Sequence, residues 1–317
     1  MKNYTVKKIT EIKPENLEDF YKDAFKSRTR VFFYNYKWFY KTHLSDFTPI
    51  VILENKKIVG HAGLISDNLI LNDKKYNFTW FTDLIVLPSH RKYGAGSQIV
   101  KEWMKINNNQ ITICNDISLK IFKKHNWKIC NNIARYIQPV FLHKININNF
   151  FFNEKISDLN LHKLDKNLIN KISEIEFKNI KPNKLQIYRD ELWFDWRFLQ
   201  CPFYEDLICF EYKNHYVIAQ LFLKPTKKIN ILYSSTNELS KSKIFELIKS
   251  WANQNKIKYI WHISNLINNN PGIVTYILRK KINFAFNTNE KILENYLIEG
   301  ISNIQGADSD IGHLSLL

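Results

Sequence analysis

A chain of 317 residues, 45% of them apolar and 15% aromatic, is long enough to bury two cores of ordinary domain size and too rich in large side chains to be a disordered tail. Lys and Arg outnumber Asp and Glu by 46 to 30, a formal charge of +16 that favours polyanionic partners, nucleic acid and coenzymes alike, without choosing among them. The four cysteines (114, 130, 201 and 209) have no Cys-x-x-Cys spacing, no run reaches the length of a membrane helix, and the N-terminus lacks a signal-peptide core; a reduced, soluble, cytoplasmic protein is expected.

In chain order, the pattern predicts a strand over Tyr4 to Ile9 and a helix over Pro14 to Ala24, followed by an aromatic run from Phe32 to Tyr40 that is too dense to be all core. Strands over Pro49 to Glu54 and Ile58 to Ile65 are joined by the polar turn Asn55-Lys56-Lys57, as in a hairpin. A strand over Lys75 to Phe81 leads to a short apolar one, Leu84 to Leu87, stopped by Pro88. A basic, glycine-bearing turn follows, Arg91-Lys92-Tyr93-Gly94-Ala95-Gly96-Ser97, and then a helix with Ile99, Val100 and Trp103 on its inner face. After a strand over Gln110 to Cys114, Asn115-Asp116 caps a helix carrying Ile117, Ile121 and Phe122, and Trp127 to Ile137 reads as one closing strand.

A strand entering a glycine turn and then a helix makes an anion cradle, because glycines admit close approach and the helix start offers free N–H groups. Here the turn also satisfies Arg/Gln-x-x-Gly-x-Gly/Ala through Arg91, Gly94 and Gly96, and it resembles motif A of the GCN5-related N-acetyltransferases, the GNAT superfamily. The segment NDISLKIFKKHNW resembles that family's motif B, with Asn115, Ser118 and Phe122 on its pattern. Two departures stand out: Asn126 replaces the family's Gly, and Phe122 stands where many members carry the Tyr that protonates the leaving thiolate. The resemblance implies coenzyme A as co-substrate, its pyrophosphate on the amides of residues 91–97, the acyl carbonyl on those of Leu84, Ile85 and Val86, and further contacts from Asn115, Ser118 and Phe122.

Acyl transfer to an amine also requires a route for a proton. Asp83 matches the strand position where many GNATs hold an acidic base, and His61 is the other titratable candidate in the same groove; Tyr136 is a candidate substitute for the missing thiolate acid. Trp38, Tyr40 and Trp80 are expected to wall an acceptor, with Arg197, Asp308 and Asp310 binding its hydroxyls, amine or diphosphate. No His/Cys/Asp set has metal-ligand spacing, and no metal is expected.

Sliding the chain by 158 residues superposes Trp38-Phe39-Tyr40 on Trp196-Arg197-Phe198, Ile50 on Ile208 and Val59 on Val217. The expected architecture is therefore α/β, two tandem GNAT-like domains, each a mixed, mostly antiparallel sheet flanked by helices. Residues 1–145 would bind acyl-CoA, 146–165 would link, and 166–317 would form a degenerate copy that holds the acceptor. Strands over Leu207 to Tyr212, Tyr216 to Leu223 and Lys228 to Tyr233 and a helix over Ser240 to Gln254 fit the copy, and Ser-Ser-Thr-Asn stands in place of its glycine cradle. The tail, Gln305 to Asp310, resembles the Asp-x-Asp ending of paired GNATs of surface-polysaccharide clusters, which implies an amino sugar, nucleotide-linked, as acceptor. Two alternatives are a Fem-type aminoacyltransferase using aminoacyl-tRNA, compatible with the charge but with little use for motif A, and a non-catalytic GNAT-like binding protein. Nucleic acid is not the expected partner, since no stripe of basic and stacking side chains is evident.

Overall fold

The computed structural model describes residues 3–25, 38–40, 48–130, 133–140, 156–224, 226–236, 239, 242–265 and 278–308. Residues 32–36 of the aromatic run, 146–155 of the expected linker and Asp310 lie outside them. The first half runs β1 (Thr5–Lys8), α1 (Pro14–Phe25), β2 (Ile50–Glu54), β3 (Lys57–Leu71), β4 (Lys74–Val86), α2 (Ala95–Met104), β5 (Asn109–Cys114), α3 (Asp116–Lys124), β6 (Lys128–Cys130) and β7 (Ile133–Pro139). The second runs β8 (Asn160–His162), α4 (Lys166–Lys178), β9 (Gln186–Ile187), α5 (Glu191–Phe194), β10 (Leu207–Tyr212), β11 (His215–Phe222), β12 (Lys228–Ser234), α6 (Lys243–Gln254), β13 (Tyr259–Asn265), β14 (Leu278–Lys281), β15 (Asn283–Thr288) and α7 (Lys291–Glu299).

The hairpins follow turn chemistry. Asn55 and Lys56 between β2 and β3 have φ of 49° and 68°, and Lys213 and Asn214 between β10 and β11 have 47° and 61°. Both are two-residue turns with both φ positive, the geometry that matches the twist of the strands they join. The two turns stand 158 positions apart, so the repeat read from the sequence is a repeat of structure. Elsewhere the pattern missed continuity: residues 74–86 form one long strand, not two, and the end of the expected linker supplies β8, which pairs with β10.

Two mixed sheets result, in the orders β1-β2-β3-β4-β5-β15-β6, with β9 added to β3, and β14-β7-β13-β12-β11-β10-β8. The halves exchange their last strands. β7 leaves the first half to lie between β13 and β14, while β15 returns to lie between β5 and β6. The predicted single strand over residues 127–137 is thus two strands in different sheets, and neither sheet respects a cut at residues 146–165. Phe284 and Phe286 of β15 enter the largest core with Phe78, Trp80 and Ile111 from the first half and Trp193, Phe194, Phe198 and Tyr233 from the second. Each such side chain taken fully from water contributes roughly 1.5–3 kcal/mol, so the exchange joins the halves through their cores.

A second seam is symmetric. The Trp38 indole N–H donates to the Trp196 carbonyl at 2.8 Å, and the Trp196 indole N–H donates to the Trp38 carbonyl at 2.9 Å. Residues 158 apart in the repeat therefore grip each other reciprocally, as equivalent residues do across a two-fold axis. Among the described residues no helix is long and apolar enough to cross a membrane.

Candidate active site

The parallel pairing of β4 with β5 runs from Thr79 opposite Gln110 to Phe81 opposite Thr112 and then stops, although β4 continues to Val86 and β5 to Cys114. The Thr112 hydroxyl donates to the Phe81 carbonyl at 2.7 Å and pins the point of divergence. Beyond it, the ladder to β3 decides which β4 amides face the gap. Leu87 N–H donates to the Val59 carbonyl at 2.9 Å, and His61 lies opposite Ile85, so alternation turns the Ile85 amide toward β3 and those of Leu84 and Val86 toward the gap.

Pro88 ends the strand, residues 88–93 make a tight turn, and Gly94 enters α2 with φ of +85°, a conformation that glycine adopts without strain. No side chain caps α2, so the N–H groups of its first turn are left to a ligand or water. A Cβ added at Gly94 would meet nothing within 4 Å, whereas one at Gly96 would come within 3.1 Å of Ile121 Cδ1; the first glycine keeps the mouth open and the second lets α3 close on α2. Arg91, Lys92 and Tyr93 are exposed around this mouth, and Arg91 Nε donates to the Val86 carbonyl at 2.9 Å, tying the turn to the strand. Ser97 Oγ lies 2.7 Å from His125 Nε2, whose imidazole is held below its usual pKa by burial and then by Lys101. Asn115 caps α3, its side chain accepting from Ser118 N–H at 2.9 Å. Phe122 corrects an expectation: it is buried against Phe81 and Trp127, with centroids 5.5 and 4.7 Å away, and is core rather than a cofactor contact.

Just past the divergence, β3 and β4 slip register and Asp83 takes a left-handed φ of 49°. Asp83 is half-buried and its Oδ2 accepts from the Tyr40 hydroxyl. Beneath it lies His61, fully buried, with Nδ1 3.3 Å from the Asp83 carbonyl and Nε2 3.3 Å from the Tyr21 hydroxyl. A ring nitrogen facing a carbonyl must carry the proton, which leaves Nε2 to accept from Tyr21. Burial lowers the His61 pKa to about 4, so it is neutral near pH 7 and out of reach of a substrate. His61 is therefore a support beneath Asp83, not a base. The residues missed by sequence reading are Tyr21 and Gly63. A Cβ at Gly63 would stand 2.4 Å from Tyr40 Cε1, and an isolated glycine in a strand interior is a legible sign of close approach.

Residues 10–126 match the Acetyltransferase (GNAT) family. That stretch, under half of the chain, is similar in sequence to the GNAT acetyltransferases. No curated protein matches it in sequence. In fold it is similar to a conserved protein of Enterococcus faecalis V583 (13% identity, TM-score 0.59, 89% of this chain on 72% of that one) and to a GCN5-related N-acetyltransferase of Kribbella flavida (9%, 0.58, 89% on 71%). It is also similar to a GCN5-related glucosamine N-acetyltransferase region of a fungal multi-domain β-N-acetylglucosaminidase (11%, 0.58, 90% on 38%). The GNAT fold thus extends over most of the chain, second half included.

The second GNAT-like sheet opens as the first does and is then filled by its own chain. β12 pairs in parallel with β13 only over Lys228–Asn230 and Tyr259–Trp261. Residues 306–308 pack against both diverging strands. The Gln305 side chain takes the Ser234 N–H and donates to the Ser234 carbonyl at 2.9 Å, and a Cβ at Gly306 would lie 2.8 Å from the Ile231 carbonyl oxygen. α6 is capped by Ser242, whose Oγ accepts from Phe245 N–H at 3.4 Å.

Several expected acceptor groups are consumed in this plug. Asp308 is fully buried and receives Arg189 at 2.8 and 2.6 Å, and Arg197 is fully buried, donating to the Ala307 carbonyl at 2.6 Å with its guanidinium 4.4 Å from the Trp196 ring centre. Trp80 is sealed in the central core, and Tyr136 travels with β7 into the other sheet, where it stacks on His262 with centroids 4.9 Å apart. Tyr40 reaches the first opening through its contact to Asp83, whereas Trp38 is bonded to Trp196. Among the described residues no group of His, Cys, Asp and Glu could hold a metal.

Proposed function

We propose that the first half binds acyl-CoA and transfers its acyl group to the amine of an amino sugar, nucleotide-linked in the form to be tried first. The observation that carries the CoA part is the uncapped start of α2 at Gly94, set at the end of the gap between β4 and β5. First-turn N–H groups and the positive end of the helix suit a pyrophosphate, and a gap between parallel strands offers an extended arm a bed of main-chain groups. The Leu84 and Val86 amides would receive the acyl oxygen as it turns into an oxyanion. Asp83 would take the proton from the attacking amine as nitrogen bonds to the carbonyl carbon; collapse then breaks the carbon–sulfur bond and releases thiolate. Phe122 cannot protonate that sulfur, so the thiolate would leave to solvent.

The acceptor rests on different support. Asp308 and Arg197 no longer contribute to it; what remains is the half-buried carboxylate at the opening and the likeness in fold to the fungal glucosamine N-acetyltransferase region. A cytoplasmic setting accords with the four free cysteines. The test is thiol release from acetyl-CoA with free and nucleotide-linked amino sugars, polyamines and peptides offered in parallel. Release with the sugars, lowered about 10²–10⁴-fold in Asp83→Asn at unchanged CoA affinity, supports the reading. CoA binding without release from any amine leaves a binding protein, and tRNA binding without CoA binding leaves an aminoacyltransferase.

A further inference from the structure

We infer that Tyr40 is the positioning residue for the Asp83 carboxylate, and that the second half holds it there through the Trp38–Trp196 pair. The inference rests on the reading of Asp83 as the base.

Asp83 occupies a bulge in a left-handed conformation, where the local ladder to β3 does not fix its side chain. Two contacts do. The His61 imidazole secures its carbonyl from below, and the Tyr40 hydroxyl donates to Oδ2 from the side. Among the described residues, the titratable groups seen in contact around Asp83 include Tyr40 from the turn over residues 38–40, His61 from β3 and, behind His61, Tyr21 from α1. The Tyr40 ring reaches Oδ2 only because position 63 lacks a side chain: a Cβ there would stand 2.4 Å from Cε1 and 2.6 Å from the hydroxyl oxygen. Tyr40 itself follows Trp38 by two residues, and Trp38 is clasped by the reciprocal indole-to-carbonyl bonds with Trp196. A residue of the second half thereby fixes the turn that carries the hydroxyl, which gives that half a part in the chemistry even with its own opening filled.

A hydroxyl that donates to a carboxylate favours the charged form, so its removal raises the carboxylate's pKa. In Tyr40→Phe the acid limb of the kcat/KM profile should move up by about one pH unit, equivalent to one lost charge-assisted hydrogen bond, with kcat reduced about tenfold or more and the KM for acyl-CoA unchanged. Gly63→Ala displaces the ring while keeping the hydroxyl and should move the limb the same way; Trp196→Phe should move it less. A tyrosine that served packing alone would lower stability and leave the limb in place, and that result in variants that retain CoA binding overturns the inference. Should Tyr40→Phe lose its fold, Gly63→Ala and Trp196→Phe decide on the same readout. Asp83→Asn separates the two levels. If it stays active, the base assignment itself fails; if it is inert while the limb stays fixed in the Tyr40 and Gly63 variants, only the positioning role fails.

Discussion

The two openings begin alike: a parallel strand pair diverges ahead of a helix start, once at Phe81 and Thr112 and once at Asn230 and Trp261. They end differently. In the second, Ser242 caps the helix and Gln305 takes both main-chain groups of Ser234, so the polar backbone is satisfied by the chain itself. In the first, α2 is uncapped, Gly94 leaves open space, and the gap-facing amides of β4 have lost their parallel neighbour. A splayed sheet alone is therefore not a site; the site is where the chain leaves its own donors unspent.

That comparison is broken most directly by counting ligands. Calorimetry should find one coenzyme A per chain, and Gly94→Val with Gly96→Val should abolish it, a loss of more than about 100-fold in affinity if two or more of the pyrophosphate's hydrogen bonds go. Two molecules per chain would mean that the tail yields to ligand and the halves are equal. Retained affinity in the glycine variant would remove the cradle and leave both openings without a function.

Asp308 sharpens the contrast from the other side. Its carboxylate meets a guanidinium that also donates to Glu176 at 2.5 Å, all three groups buried. Asp308→Ala should destabilise the protein by about 3–5 kcal/mol in denaturant unfolding, the usual consequence of leaving a buried charge short of its partner, with no change in acceptor KM for whatever remains folded. Unchanged stability with a raised acceptor KM would restore Asp308 to the binding role its sequence context suggested.

Why some features of the fold are legible in the sequence and others are not is physical. Gly94 was legible because a left-handed helix entry is strained for almost any other residue. The repeat was legible because hairpins at residues 55–56 and 213–214 and the Trp38–Trp196 seam preserve one spacing. The strand exchange was invisible, since Ile133–Pro139 and Asn283–Thr288 carry patterns that fit either sheet and nothing local selects the partner. The place of Asp308, expected at an acceptor from the Asp-x-Asp resemblance, was not legible because its partner Arg189 lies 119 positions earlier. Tyr40 was flagged for an aromatic wall, and its hydroxyl's contact with Asp83 depends on a clearance at Gly63 that only the fold reveals.

The halves also bury imidazole differently, and acid should expose this with the smallest effect. His61 is bonded at both nitrogens, whereas His262, wedged between Tyr136 and Phe245, has no hydrogen-bond partner at either among the described residues. Burial lowers both pKa values to about 4 from 6.5, so between about pH 5 and 6 the unfolded chain binds protons that the fold refuses, and stability falls on acidification by up to about 1.4 kcal/mol per pH unit for each ring. Asp67 works the other way: burial pushes its carboxyl up to about 7 from 3.8, the fold keeps a proton that the unfolded chain releases, and stability rises as pH falls. His125 adds a weaker contribution of the imidazole sign, screened by its exposure. The opposing terms leave about one ring's worth of slope. Urea midpoints measured across that window should therefore drift down with acid in the native chain, lie nearly flat in His262→Phe, and fall about twice as steeply in Asp67→Asn. A His262→Phe slope equal to the native one would show that this ring already titrates freely in the fold, and so that the second half is open where its plugged strands say it is closed.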